Sequence, residues 1–303
     1  MPFLAGSASW AYKSLIDCGR FYPPGSGSAE GRLRHYATQF PLVEADASYY
    51  ALPTPSTTQL WAERTPADFA FNVKAFGLFT GHPTMPRLLP RDVQAALGPR
   101  LLLGKRHLYY RDVPGEIRDE LWRRFTDALL PLRAARKLSL VLLQFPPWVV
   151  NDARRREHVA HCVERMAGHT LAVEFRHRSW LAPGREAATL AFERELGVVH
   201  TVVDEPQGFD NSVPAVWEAT HPEFALLRLH GRNSAAWNTR HANGASGRFN
   251  YDYPDEELQA LAAPLQSLAR QARQVKAIFN NCHEDKSVRN ARTLMSMLAP
   301  LIH

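Results

Sequence analysis

Short apolar runs rich in β-branched and aromatic residues recur along the chain, separated by polar or helically patterned segments. Eight runs are strand candidates: Phe3–Ser9, Leu42–Tyr49, Phe69–Ala75, Leu138–Phe145, Leu171–Arg176, Val198–Asp204, Phe224–His230 and Val275–Asn281. Most intervals between them carry a helical period. Ile117, Leu121, Trp122, Phe125 and Leu129 fall on one helical face. Leu258, Leu261, Leu265 and Leu268 do the same after Pro254-Asp255-Glu256, a helix-start pattern. Arg289–Leu298 reads as a final helix, and Arg154-Arg155-Arg156 as the solvated opening of another.

Strands alternating with helices predict parallel strands joined by crossover helices. Eight such units close most simply into an α/β, TIM-like (β/α)8 barrel with an eight-stranded parallel sheet. Barrels of this kind take about 250 residues, and this chain has 303. The excess falls between the third and fourth runs, about residues 76–137. That stretch holds Pro83, Pro86, Pro90 and Pro114 and a basic aromatic patch, Lys105-Arg106-His107-Leu108-Tyr109-Tyr110-Arg111. It is expected to be a long insertion over one mouth of a single domain spanning residues 1–303.

Composition narrows the class. Hydrophobic residues at 45% and charged residues at 22% exclude a disordered or collagen-like chain. Lys plus Arg total 36 against 30 Asp plus Glu, a net charge of +6 that permits anionic partners without demanding them. Cys18, Cys162 and Cys282 lie far apart with no CxxC pair, which argues against a structural zinc site and suits a reducing compartment. No signal peptide is expected at Met1–Gly6. The longest apolar run, Leu138–Val150, is interrupted by Gln144, Pro146 and Pro147. It falls short of the roughly 20 residues a membrane span needs. A cytoplasmic protein without a membrane partner is the expectation.

The candidate chemistry sits where the runs turn polar, at the strand ends on which such barrels place their active sites. These ends supply Ser7, Glu44, Asp46, Ser48, Lys74, Gln144, Glu174, Arg176, Asp204, Arg228, His230, Arg232, Asn280 and Asn281. Strict alternation would put Glu44, Asp46 and Ser48 on one side. Buried charges need partners, and Lys74, Arg176 and Arg228 can oppose the carboxylates. A buried ion-pair network that fixes barrel geometry is therefore one reading; a binding and catalytic mouth is the other, and eight polar ends around one mouth favour it.

Leu143-Gln144-Phe145-Pro146-Pro147, Ala172-Val173-Glu174-Phe175-Arg176-His177-Arg178-Ser179-Trp180, Val203-Asp204-Glu205-Pro206, Leu227-Arg228-Leu229-His230-Gly231-Arg232-Asn233, Tyr251-Asp252-Tyr253 and Phe279-Asn280-Asn281 resemble the signatures of the YecE-like family, domain of unknown function 72. Val43–Tyr50 resembles its second-strand motif and Gly6–Tyr12 its first. The resemblance runs from about residue 4 to residue 299. It implies a TIM-like barrel with a site at these positions, and no established reaction. The chain departs from the pattern twice. Ser9 stands where the family usually has Gly, and Thr80-Gly81-His82 stands where Thr is directly followed by His, so His82 is not carried over as a site residue.

Three functions fit these residues. The first is a metal-free acid–base enzyme. Lys74, Arg176, Arg228 and Arg232 would clamp a phosphorylated or carboxylated substrate. Glu44 or Glu174 would be the general base and His230 the acid. Asp204 would orient a cation or hydroxyl, and Gln144, Ser7, Asn280 and Asn281 would supply neutral hydrogen bonds. Tyr49, Tyr50, Trp10 and Trp237 would wall the site. The second is a divalent-metal phosphoesterase or nuclease using Glu44, Glu174, Asp204 and His230 as ligands. Fixed cations at the same mouth weigh against it. The third is nucleic-acid binding through Lys105, Arg106, Tyr109, Tyr110 and Arg111; the same patch also reads as a lid whose tyrosines pack on the barrel. No Walker loop, GxGxxG fingerprint or GxSxG elbow is present. Cys282 beside His283 is a weak nucleophile candidate, and His200 reads as a core histidine.

Overall fold

The computed structural model describes residues 3–102, 106–239 and 245–299. Eight strands form one sheet: β1 (Phe3–Ser7), β2 (Leu42–Ala45), β3 (Ala70–Lys74), β4 (Leu138–Gln144), β5 (Leu171–Glu174), β6 (Val199–Asp204), β7 (Phe224–Leu229) and β8 (Gln274–Phe279). Each lies within its predicted run or one residue beyond it. The order is β1-β8-β7-β6-β5-β4-β3-β2 with every pair parallel. The ring closes between β1 and β2 through the parallel bridge Ala8↔Glu44. Gly6 makes that closure possible, because a Cβ there would lie 1.9 Å from the Leu42 carbonyl oxygen. The fold is thus a TIM-like (β/α)8 barrel.

Alternation along the strands splits the interior into two levels. Leu42, Leu140, Leu142, Ala172, Val199, Leu226 and Ile278 form a buried apolar cluster inside the barrel. The next inward positions toward the strand C-termini are Glu44, Lys74, Gln144, Glu174 and Arg228, so charge begins where the apolar filling stops. Outward positions pack on the helices. Stacked pairs such as Phe79 on Trp122 (3.6 Å) and Phe175 on Trp180 (3.7 Å) fix that layer. The buried Lys137 ammonium donates to the carbonyls of Ala62 and Thr65, where it neutralises the C-terminal dipole of helix Pro55–Glu63.

Four expectations change. The second run ends as a strand at Ala45, and Ala47–Tyr50 turns into a helix with Asp46 at its N-cap position. Ser48 therefore does not share Glu44's face by alternation; its hydroxyl donates to the carbonyls of Ala45 and Lys74. The insertion is shorter than 76–137, because helix Gly115–Ala134 is the ordinary crossover between β3 and β4. The Leu258–Leu268 period is shared by two short helices, Asp255–Ala260 and Ala262–Gln271. No helix joins β6 to β7; residues 205–223 are all described and run as loop. The arginine run opens helix Ala153–Arg165, with Asp152 accepting from the Arg155 N–H at its cap.

Candidate functional site at the barrel mouth

The predicted charged residues divide between a buried layer, an open cleft above it and positions outside the barrel axis. Arg228 centres the buried layer. Its Nε and Nη2 donate to the two Glu44 carboxylate oxygens (3.0 and 2.6 Å), and its Nη1 donates to Glu174. The other Glu174 oxygen accepts from Gln144 (2.6 Å), His230 Nε2 (3.1 Å) and Arg176 Nη1 (3.3 Å). His230 Nδ1 accepts from the Asn280 amide at 2.7 Å. Glu44, Glu174, Arg228 and His230 are each 0–1% exposed.

This saturation fixes protonation. Burial works against the Glu174 charge, yet Arg228 and the hydrogen bond from His230 hold its carboxyl well below the usual range. Burial also weighs against the Arg228 charge, but Glu174 and Glu44 keep the guanidinium protonated. Burial, seconded by Arg176, pushes His230 down to about 3, so it is a neutral Nε2–H imidazole. His230 is thus unsuited to the general-acid role expected of it. Glu44 and Glu174 have their oxygens engaged and no open path to a substrate.

Above this layer lies a cleft of about 810 Å³. Asp46, Lys74, Gln144, Arg176 and Asn280 reach it from the strand ends, with Tyr12, Tyr49, Tyr50, His82, Trp148, Arg248 and Phe249 around them. The Lys74 ammonium sits 4.4 Å from the centre of the Tyr49 ring and makes no ion pair with any described carboxylate. Burial, then the neighbouring Arg228 charge, lowers Lys74 to about 8. Burial raises Asp46 to about 6, opposed by Lys74 and reinforced by Glu44. Arg176 reaches Glu205 at 2.9 Å with poor alignment, and its Nε and Glu205 Oε2 have no hydrogen-bond partner among the described residues. Burial raises Glu205 to about 7 against that pairing. The guanidiniums of Arg176 (5.3 Å) and Arg248 (5.1 Å) both approach the Trp237 ring, which is a buried wall rather than a lining surface.

Several expected site residues lie elsewhere. Val203 pairs in register with inward Arg228, so Asp204 faces outward with Leu229. There it accepts from Tyr253 (2.7 Å) and from Arg232 Nη2 (2.6 Å), and Tyr253 in turn accepts from the Gly231 N–H (2.9 Å). Asp204 and Arg232 thus lock the loop after β7 to the Tyr251–Tyr253 segment. Asn281 braces the same segment through the Tyr251 carbonyl and Asn290. Ser7 also faces outward, donating to the Ser9 carbonyl and meeting Tyr36. Trp10 packs edge-on against buried Trp61. His200 pairs with Glu193 at 2.8 Å, while its Nε2 has no partner among the described residues.

The four expected metal ligands do not form a set. Arg228 bonds both Glu44 and Glu174, Asp204 is turned away, and both His230 nitrogens are engaged. Among the described residues no three His, Cys, Asp or Glu side chains converge as a metal site. Cys282 lines the cleft, but burial raises its thiol and it donates to the Ala8 carbonyl. The basic aromatic patch also divides. Tyr110 is buried, its hydroxyl accepting from Trp122 (2.9 Å) and sharing a hydrogen bond with His161. Tyr109, Arg106 and Arg111 face solvent, and Lys105 lies outside the described residues. No described helix is long and apolar enough to cross a membrane.

Part of the cleft leaves no signal in the sequence. His82, Trp148 and Phe249 come from loops, and Arg248 from the short helix Ala245–Arg248, whose return to the mouth no local pattern announces. Asp46 was visible as a polar strand end, but only the turn after β2 explains why it faces the cleft while Glu44 lies beneath it. Ser9 adopts φ 87°, a left-handed conformation that accounts for the family's usual glycine at this position.

An eight-stranded α/β barrel with a charged cleft at the strand C-termini defines the class. The chain belongs to the family described as protein of unknown function DUF72, whose model matches residues 4–301. It is similar to the UPF0759 protein YunF of Bacillus subtilis (strain 168), with 32% identity over 279 residues, covering 91% of this chain and 89% of that protein. A DUF72 family crystal structure from Enterococcus faecalis V583 superposes with TM-score 0.78 at 24% identity, covering 98% of this chain and 95% of the other. One from Thermotoga maritima MSB8 gives TM-score 0.74 at 26% identity, covering 99% and 100%.

Proposed function

We propose that this protein is an enzyme of the cytoplasm that performs acid–base chemistry on a small phosphorylated or carboxylated substrate held in the mouth cleft. One observation carries the reading. Lys74 and Asp46 face the same cleft, each shifted toward neutrality by burial, and the lysine lacks a carboxylate partner among the described residues. Groups with such matched affinities exchange protons readily near pH 7. Asp46 serves as general base and Lys74 as general acid. Arg176 and Arg248 hold the anion, and Gln144 and Asn280 orient it. Glu44, Arg228, Glu174 and His230 act beneath them as positioning residues: they hold Arg176 and Asn280 in place, and the Arg228 charge lowers Lys74.

A thermal-shift screen of phosphorylated and carboxylated metabolites tests this reading. Ligands that stabilise the wild type should lose their effect in Arg176→Ala. Turnover of the best ligand should fall at least 100-fold in Lys74→Met and Asp46→Asn with binding retained. Full turnover in both variants would refute it.

A further inference from the structure

A second hollow, of about 440 Å³, lies beside the mouth. Tyr109, Arg111, Trp148, Arg154, Arg155 and His158 line it; Arg155 pairs with Asp152 at 3.0 Å, while Arg111 and Arg154 make no ion pair among the described residues. Trp148 borders both hollows, its indole N–H reaching the Gly81 carbonyl at 3.3 Å. A row of rings leads to it from the mouth: Tyr50 to Tyr49 at 4.9 Å, Tyr49 to His82 at 5.0 Å, His82 to Trp148 at 5.9 Å. Tyr50, Tyr109 and Trp148 are 59%, 38% and 51% exposed, the only strongly exposed large aromatic side chains among the described residues. Singly exposed rings are ordinary on a protein surface, but these three gather around the two hollows, as exposed apolar groups do at binding sites.

We propose that the groove and the mouth together bind single-stranded nucleic acid, its bases stacking on Tyr109 and Trp148 and its phosphates meeting Arg111, Arg154 and Arg155. The strand would deliver a terminal nucleotide to the cleft, so the inference rests on the acid–base reading for its chemistry but not for its binding. Charge complementarity selects this occupant. Stacking rings alone would suit a neutral sugar chain, but rings interleaved with cations fit a polyanion that carries a planar group at each repeat. Duplex bases are already stacked and cannot use these rings.

The test is fluorescence anisotropy of the full-length protein with a short fluorescein-labelled oligothymidylate over a series of NaCl concentrations. Saturable binding is expected, displaced by unlabelled single strand and not by duplex. With about three phosphate contacts, log K should fall against log[salt] with a slope of about −2. Trp148→Ala should weaken binding about 10-fold or more, and Arg111→Ala with Arg154→Ala should flatten the slope by about 1.4. These side chains face solvent, so unchanged melting temperatures will certify the variants. Absence of saturable binding at low salt, affinity unaffected by both variants, or equal Trp148-dependent binding of a sulfated oligosaccharide would each overturn the proposal. Lys74-dependent stabilisation by small anions alongside any of these results would sink the groove assignment and leave the acid–base reading standing.

Discussion

Replacing Arg228 by Met separates the buried layer from the cleft above it. Arg228 supplies both hydrogen bonds that the Glu44 carboxylate receives and one of those to Glu174, with all three side chains 0–1% exposed. The methionine fills similar space but strands Glu44 outright, whereas Glu174 keeps Gln144, His230 and Arg176. An uncompensated buried charge costs about 3–5 kcal/mol, a large share of the roughly 5–15 kcal/mol that holds a domain together. The loss should be read by urea unfolding, as a lower midpoint with the slope unchanged. It should also depend on pH. Without the guanidinium, the Glu174 carboxyl loses the charge that does most to hold it low in the wild type, and its affinity for a proton rises. The variant is then least impaired below the unfolded carboxyl value, near 4.3, and loses ground as pH rises through the raised folded value. Adding Glu44→Gln to Arg228→Met should recover about 2 kcal/mol at pH 7, because the stranded charge is gone. A loss under about 1 kcal/mol, the same at every pH, would refute the view that Arg228 is the counterion of this layer.

Three further outcomes follow from other positions. Lys276 lies inside the barrel, 1% exposed, 4.0 Å from the Phe224 ring, and burial lowers it from 10.5 to about 7; at 1.36 kcal/mol per unit this is a penalty of about 5 kcal/mol. The penalty is complete at pH 7 and below and vanishes above 10.5, so Lys276→Met should stabilise by a few kcal/mol at pH 7, and chemical unfolding at a series of pH values should show the gain shrinking as pH rises. Ser9→Gly should relieve the left-handed backbone at φ 87° and raise stability by about 1 kcal/mol in the same assay, whereas a decrease would show that the Ser9 hydroxyl outweighs the strain. Turnover, once a substrate is in hand, should rise through about pH 6 as Asp46 ionises and fall through about pH 8 as Lys74 loses its proton, and a profile flat across that interval would contradict the pairing.

The strands were legible because an eight-stranded parallel barrel writes itself as eight short apolar runs, each turning polar at one end. The resemblance to the YecE-like family rested on those same ends, and the family match bears it out. Alternation could also have placed Asp204, since it follows inward Val203 directly. What the pattern could not carry was partnership. Glu44 and Asp46 are both acidic and two residues apart, yet Glu44 is saturated by Arg228 while Asp46 opens on the cleft, a distinction made by the helical turn at Ala47–Tyr50. Lys74, Arg176 and Arg228 looked equivalent as cations; only their geometry shows one at the centre of a buried layer and another without a carboxylate partner among the described residues. Trp148 and Arg248 were silent because the loop of one and the short helix of the other approach the mouth through tertiary packing alone. The same holds for Tyr110, whose neighbours Trp122 and His161 are distant in sequence.

Acid–base chemistry in the cleft depends most directly on the protonation of Lys74. Reductive ¹³C-methylation of the folded protein, followed by NMR titration of the dimethyl-lysine signals, measures it. Lys74→Arg assigns the resonance against those of Lys137 and Lys276, the other lysines that burial lowers. A Lys74 midpoint near 8, moving upward when Arg228 is replaced by Met, is the predicted result. A midpoint at the ordinary lysine value of about 10.4, indifferent to Arg228, would contradict it.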